Sequence, residues 1–248
     1  MDWVCQCAAV IPCFNEETQI ARVVAAVRAH LPHVIVVDDG STDATARAAA
    51  AAGARVVRHK ENRGKGAALQ TGWRTARECG LSWAIVVDGD GQHAAGDIPG
   101  FFRCAEMSGA KLVVGNRLGN SAGMPWVRRW VNRWMTRRLS RLTGQRIEDS
   151  QCGFRLVHLE TLAQVQISTN HFEIESEMLV SFLAAGCAVE FVPVQVIYNS
   201  GGSKIHPVRD SVRWFRWWLA QGRRSHVKQA SSGNRAGALP KKTAGVVS

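Results

Sequence analysis

No stretch of about 18 apolar residues occurs in these 248 residues, so no segment reads as a membrane-spanning helix. The opening run, MDWVCQCAAVIPCFNEE, has no basic segment ahead of its apolar part and meets acids too soon to read as a signal peptide. The seven cysteines are scattered, and the C-x-C of Cys5 and Cys7 has no second pair at zinc spacing. Reduced, partly buried thiols in a cytosolic protein are therefore expected. Two nucleotide-binding signatures are missing as well. The GKG at 64–66 fits neither G-x-x-x-x-G-K-[ST] nor G-x-G-x-x-G, which disfavours an ATPase and a dinucleotide oxidoreductase.

Acids are absent from one long stretch and nearly absent from another. Residues 117–147 hold eight arginines and no acid, and from Lys204 to the end ten lysines and arginines face Asp210 alone. These two segments supply more than the whole net charge of +11, so the remainder is acidic overall. Such patches predict a polyanionic partner: phosphates, nucleic acid or an anionic membrane surface.

What is present in quantity is apolar, 46% of the chain, enough to bury a core. The first half repeats an apolar run, turn residues and a helix. CAAVI (7–11) precedes a helix expected from about Glu16 to Ala29. HVIVV (33–37) leads to DDGSTD, where Thr42 or Asp43 can cap an alanine-rich helix to Ala52. ARVVRH, SWAIVV and KLVVGNR are further strands, with GKGAALQTGWRTARE and about 97–108 as helices. Continuous Val/Ile strands alternating with helices predict a doubly wound α/β fold, its parallel sheet covered on both faces. Beyond Arg117 the rhythm changes. Pro125 can open a helix to Leu142, FEIESEMLVSFLAAG reads as a helix ended by Gly186, and VEFVPVQVIY as an edge strand broken by Pro193. The expected organisation is a catalytic domain over 1–220 and a basic, disordered tail over 221–248.

Open parallel sheets bind ligands beyond the carboxyl ends of their strands. Here those ends carry PCFNEE, DDGSTD, DGDGQH and GNR, which predicts a cleft along that edge. In DGDGQH, Asp88 and Asp90 share a face if the chain is extended. With the Gln92 carbonyl they form an all-oxygen set suited to Mg²⁺ or Mn²⁺, and His93 reads as positional. Asp38 and Asp39 either cap a turn or accept hydrogen bonds from a base or ribose, and Lys65 can approach the nucleotide.

The ordered set VIPCFNEE, VVDDGSTDAT, NRGKGAALQTG, VVDGDGQH, VVGNR, DSQCGFRL, FEIESEML and VPVQVIY, spanning about 10–218, resembles family 2 glycosyltransferases of the dolichyl-phosphate mannose/glucose synthase type. The resemblance implies a GT-A fold and inverting transfer of a sugar from a GDP- or UDP-sugar. It implies that Pro12, Asn15, Glu16, Asp38 and Lys65 line the nucleotide pocket, and that Asp88, Asp90 and Gln92 hold the metal. It implies that Arg117, Arg128 or Arg129, Arg155 and Lys204 lie near donor or acceptor phosphates. Asp90, Arg117 and Asp149 are the residues expected to carry the catalysis.

A phosphate monoester acceptor needs no strong general base, whereas a hydroxyl acceptor does. Asp149, with Glu173 or Glu175 behind it, is the candidate base; its alternative role is partner to an arginine. Six of the nine tryptophans (Trp126, Trp130, Trp134, Trp214, Trp217, Trp218) lie in the basic segments. Helices near 125–142 and 207–220 that combine Trp and Arg suit a membrane interface, bringing the cleft to a lipid-linked acceptor at the cytoplasmic face. The alternative is that these tryptophans are core. A non-catalytic membrane or nucleic-acid binder is the rival class, against which the intact acidic cradle and the lack of a nucleic-acid module argue.

Overall fold

Strands β1 (Cys7–Cys13) and β2 (Val34–Asp38) are buried at every position, not at alternate ones, so the sheet they build is covered on both faces. A computed structural model describes residues 1–117, 126–197 and 213–219. The chain forms two units, Met1–Ser203 and Lys204–Ser248, each described by itself. In the first, β3 (Arg55–Arg58), β4 (Trp83–Val86), β5 (Leu112–Asn116), β6 (Arg155–His158) and β7 (Val189–Pro193) complete a seven-stranded sheet. Its order is β3-β2-β1-β4-β6-β5-β7.

Every pairing is parallel except those of β6, which runs antiparallel to both β4 and β5. The parallel sheet expected from the Val/Ile runs is therefore mostly parallel, with one reversed strand. That reversal matters for the site. Arg155, at the start of β6, pairs with Val86 near the end of β4 and with Val114 near the end of β5. The residues leading into β6 thus arrive at the edge where the parallel strands finish. Pro193 closes β7 at the edge of the sheet, where its missing N–H costs no ladder bond.

The helices are α1 (Trp3–Gln6), α2 (Ile20–Arg28), α3 (Thr45–Ala51), α4 (Lys65–Glu78), α5 (Ile98–Ser108), α6 (Trp126–Thr143), α7 (Leu159–Gln164) and α8 (Ile174–Ala184). α2 begins at Ile20, four residues later than expected, after a turn in which the Glu16 carbonyl accepts from the Gln19 and Ile20 amides. The Glu16 and Glu17 amides donate to Thr45 Oγ1 (2.7 Å) and Asp43 Oδ2 (3.2 Å). At α3 the N-cap position is Ala44. Asp43 still holds the first turn, accepting from the Thr45 amide at 2.9 Å, while the Thr42 amide donates to Asn15 Oδ1 instead. α4 packs directly on β1 and β2. This closeness depends on Gly72, where a β-carbon would overlap Val10 Cγ1. All seven cysteines are free thiols, and no helix among the described residues is long and apolar enough to cross a membrane.

Candidate active site

The ends of β1 and β2 are laced together by side chains. Asn15, held at φ 53, donates its amide to Ser41 Oγ (2.9 Å), and its Oδ1 accepts from the Thr42 amide (2.9 Å). Asp38 is fully buried; its Oδ1 accepts from the Ser41 amide at 3.0 Å. Arg58 Nε lies 3.1 Å from Asp38 Oδ2, an ionic contact off the hydrogen-bond direction. Asp39 turns the other way. Its Oδ1 meets His59 Nδ1 (2.6 Å) and the Arg63 amide (3.0 Å), and its Oδ2 accepts from the Gly64 amide (2.8 Å). Asp39 therefore ties the β2 end to the loop that launches α4 at Lys65, where Gly64 sits at φ 96.

Lys65 Nζ then reaches two carboxylates, Asp88 Oδ1 at 2.7 Å and Glu175 Oε1 at 2.8 Å. Burial disfavours the ammonium charge, but these two anions outweigh it and hold the Lys65 pKa above its ordinary value. Burial likewise would raise Asp88, yet Lys65 beside it brings that carboxyl below the usual carboxylate range. Asp90 goes the opposite way, raised by burial and by the negative charge of Asp88. His93 braces the loop: its Nδ1 accepts from the Asp88 amide (3.2 Å), and its ring stacks on Phe154 at 4.9 Å. Burial lowers its pKa despite the nearby aspartates. Two glycines let the loop settle here. A β-carbon on Gly89 would lie 3.0 Å from Cys13 Cβ, and one on Gly153 would lie 2.8 Å from both Lys65 Nζ and Asp88 Oδ2.

The arginines divide into different roles. Arg117 makes a fork to Asp149, Nε to Oδ2 at 2.9 Å and Nη2 to Oδ1 at 3.0 Å. Asp149 is fully buried and also accepts from the Arg117 and Gln151 amides. Burial pushes its carboxyl up, but Arg117 more than offsets this and the pKa is lowered. So placed, Asp149 is a poor proton acceptor and a good anchor for Arg117. Arg155 is 1% exposed, and its guanidinium donates to three backbone carbonyls, those of Cys152, Glu175 and Ser150. It ties the 150–152 loop to the start of α8 and thereby sets Gly153 and Glu175 around Lys65. Glu173 is 8% exposed, and its Oε2 is buried with no hydrogen-bond partner.

On α6 the three expected tryptophans do not join the core. Trp126 is 77% and Trp130 65% exposed, while the opposite face buries Asn132, Met135, Thr136 and Leu139. Trp134 is half-buried beneath Arg138, whose Cζ lies 5.2 Å from the ring centroid. Arg129 is half-buried on the same helix; the Arg128 side chain, Pro125, Lys204 and the 221–248 tail lie outside the described residues. Residues 213–219 are helical, with Trp214 stacked on Trp218 at 6.4 Å.

Among the described residues, no three His, Cys, Asp or Glu side chains gather as a metal cluster. The Asp88, Asp90 and Gln92 set nonetheless fits a hard divalent cation. Asp88 Oδ1 is buried and meets a cationic group already, the Lys65 ammonium at 2.7 Å, and Asp90 carries a repulsion that a cation between the two carboxylates would relieve. The Gln92 backbone carbonyl already accepts from the Ile197 amide at 2.9 Å, whereas its side-chain carbonyl would be the oxygen turned to the cation. Arg155, expected near a donor or acceptor phosphate, is instead buried and spent on three backbone carbonyls. Gly153 is the site-building residue that sequence reasoning left without a role, and the glycine in DSQCGFRL was its only signal.

Residues 8–165 match the model of the glycosyl transferase family 2. The chain is 29% identical over 213 residues to a UDP-N-acetylglucosamine–dolichyl-phosphate N-acetylglucosaminyltransferase of Methanococcus voltae, covering 77% of this chain and 85% of that one. It is 32% identical over 170 residues to a dodecaprenyl-phosphate galacturonate synthase of Rhizobium johnstonii, covering 64% and 49%. Among solved structures it is similar to glucosyl-3-phosphoglycerate synthase of Mycobacterium tuberculosis in complex with UDP. That likeness has a TM-score of 0.68 at 22% identity, with 87% of this chain and 79% of that one covered. The same synthase with Mn²⁺, UDP and phosphoglyceric acid superposes with a TM-score of 0.65 at 21% identity over 87% and 76%. The sheet is accordingly a GT-A fold, and this chain belongs to glycosyl transferase family 2.

Proposed function

We propose that this glycosyltransferase moves a sugar, with inversion, from a nucleoside-diphosphate sugar to a polyprenyl-phosphate-type lipid at a membrane surface. The observation that carries the reading is the meeting of Asp88, Asp90 and Lys65 with the anchored Arg117 fork at one sheet edge. Two relatives are named for a dolichyl-phosphate and a dodecaprenyl-phosphate, and a structural neighbour binds UDP with Mn²⁺. Both support this choice of donor and acceptor.

The Asn15 and Asp38 loops would receive the nucleoside, with Pro12 and Glu16 beside them. Asp88, Asp90 and the Gln92 side chain would hold Mg²⁺ or Mn²⁺, which supplies Lewis-acid neutralisation of the leaving diphosphate. Lys65 would add a second positive charge to the same oxygens. Arg117, oriented by Asp149, would present its remaining N–H groups to the acceptor phosphate. An acceptor phosphate oxygen forms the new bond to the anomeric carbon from the face opposite the departing diphosphate oxygen, and inversion follows. A phosphate monoester is already anionic near neutral pH, so no base is required.

The exposed Trp126 and Trp130, on a helix rich in arginine, support contact with an anionic bilayer. The unpartnered Oε2 of Glu173 favours a second reading, transfer to a hydroxyl with Glu173 as base. The test is product formation from GDP- and UDP-sugars with Mg²⁺ or Mn²⁺, with and without a short polyprenyl phosphate, using Asp90→Ala as control. Lipid-phosphate product lost in that variant is expected. Product on a hydroxyl acceptor that vanishes in Glu173→Gln would replace the phosphate reading with the second one.

A further inference from the structure

Lys65 stands where an incoming metal ion would have to compete. Its backbone cannot drift, because α4 is pinned from both sides. Asp39 accepts from the Gly64 amide (2.8 Å), and the Asn170 carbonyl accepts from the Ala67 amide (3.2 Å). The loop carrying Asn170 is in turn held by Glu177, which takes four donors from Ser168 and Thr169. Only the four-carbon stem of Lys65 can move.

The ammonium is shared between Asp88 Oδ1 (2.7 Å) and Glu175 Oε1 (2.8 Å), with the side chain 13% exposed. Gly153 closes in without a side chain, and Arg155 fixes the Glu175 backbone. An ammonium and a divalent cation on the same carboxylate repel strongly in so desolvated a place. The metal therefore gains Asp88 fully only when the ammonium leaves it, and Glu175 alone replaces just one of the two negative charges the ammonium has here. The donor diphosphate, arriving with the metal, would supply the second anion.

We propose that Lys65 is a positioning residue, the resident counter-ion of Asp88, and that its transfer to the donor diphosphate couples metal binding to donor binding. The inference rests on the metal and nucleotide-sugar reading above and adds an order to it: metal alone binds weakly, metal with nucleotide binds tightly. Linkage makes the effect reciprocal, so each ligand raises the affinity of the other by the same factor.

The test is Mn²⁺ binding to the full-length protein, read from the electron paramagnetic resonance signal of free Mn²⁺. It is run with and without saturating UDP or GDP, for wild type, Lys65→Met and Lys65→Gln. Circular dichroism verifies folding. In wild type, nucleotide should tighten Mn²⁺ binding about tenfold or more. In the folded variants, Mn²⁺ without nucleotide should bind about tenfold tighter than in wild type, and the further gain from nucleotide should shrink toward none. A merely structural lysine would leave nucleotide-free affinity unchanged or weaken it in both variants, and either result overturns the proposal. Coupling in wild type that persists in both variants overturns it while leaving the donor reading intact. No Mn²⁺ binding by wild type with either nucleotide overturns the metal reading, and this inference with it.

Discussion

Gly153 and Asp88 meet so closely that a β-carbon on the glycine would stand 2.8 Å from the Asp88 Oδ2, and as close to Lys65 Nζ. Both neighbours are the tips of side chains, so they can yield without disturbing the backbone, but they yield at the site. Gly153→Ala should change stability by less than about 1 kcal/mol and lower kcat/KM about 10–100-fold through misplacement of Asp88. Parallel urea melts and initial-rate measurements check it; an unfolded or fully active variant would contradict the packing.

Asp149 takes both prongs of Arg117 in a fully buried pair. Asp149→Asn would leave the guanidinium charged and uncompensated, which costs about 3–5 kcal/mol. The expected result is a large drop in the urea midpoint, with activity of the folded fraction falling about tenfold as Arg117 loses its anchor. Activity falling several orders of magnitude in a variant of normal stability would instead mark Asp149 as the base.

The same pair sets a pH dependence. Asp149 has a lowered pKa in the folded protein, so the folded state binds the proton less readily than the unfolded one. The stabilisation is fully present above the ordinary aspartate value of about 3.9, and it is lost as pH falls below that value through the folded one. Asp88, lowered beside Lys65, adds to the loss in the same direction. Urea midpoints should hold from pH 7 to about 5 and fall steeply below about 4, less steeply in Asp149→Asn.

Gly72 lies against Val10 where α4 crosses β1. Gly72→Ala gains helix propensity but must push the helix off the strand, and the net cost should be about 1–3 kcal/mol by overpacking. A Gly72→Ala, Val10→Ala double variant should recover part of that loss relative to the sum of the single changes.

Trp126 and Trp130 are largely exposed, so replacing both by serine should leave stability within about 0.5 kcal/mol. On the membrane reading, binding to vesicles containing anionic lipid should weaken markedly while turnover of a short, soluble acceptor stays unchanged. Sedimentation with vesicles distinguishes this from a helix face with no such role.

The continuous runs CAAVI, VIVVD and WAIV and the acids that end them are local features, and they carried the layered α/β fold and the gathering of acidic strand ends at one sheet edge. Strands buried on both faces need no partner to be recognised, and a carboxylate at such a strand end has few places to point. The sequence alone also separated Trp126 and Trp130 from any membrane-spanning role. What it left undecided depends on which loops share a sheet edge. RLVH is too short to announce β6 or its reversed direction, and that reversal delivers Gly153 to Asp88. Arginines look alike in one dimension, yet the tertiary structure forks Arg117 onto Asp149 and spends Arg155 on three backbone carbonyls. Lys65 likewise finds Asp88 and Glu175 only through the packing of α4 and α8 at that edge. Apolar periodicity is written along the chain, whereas the partner of a buried charge is decided by distance and desolvation once the chain has folded.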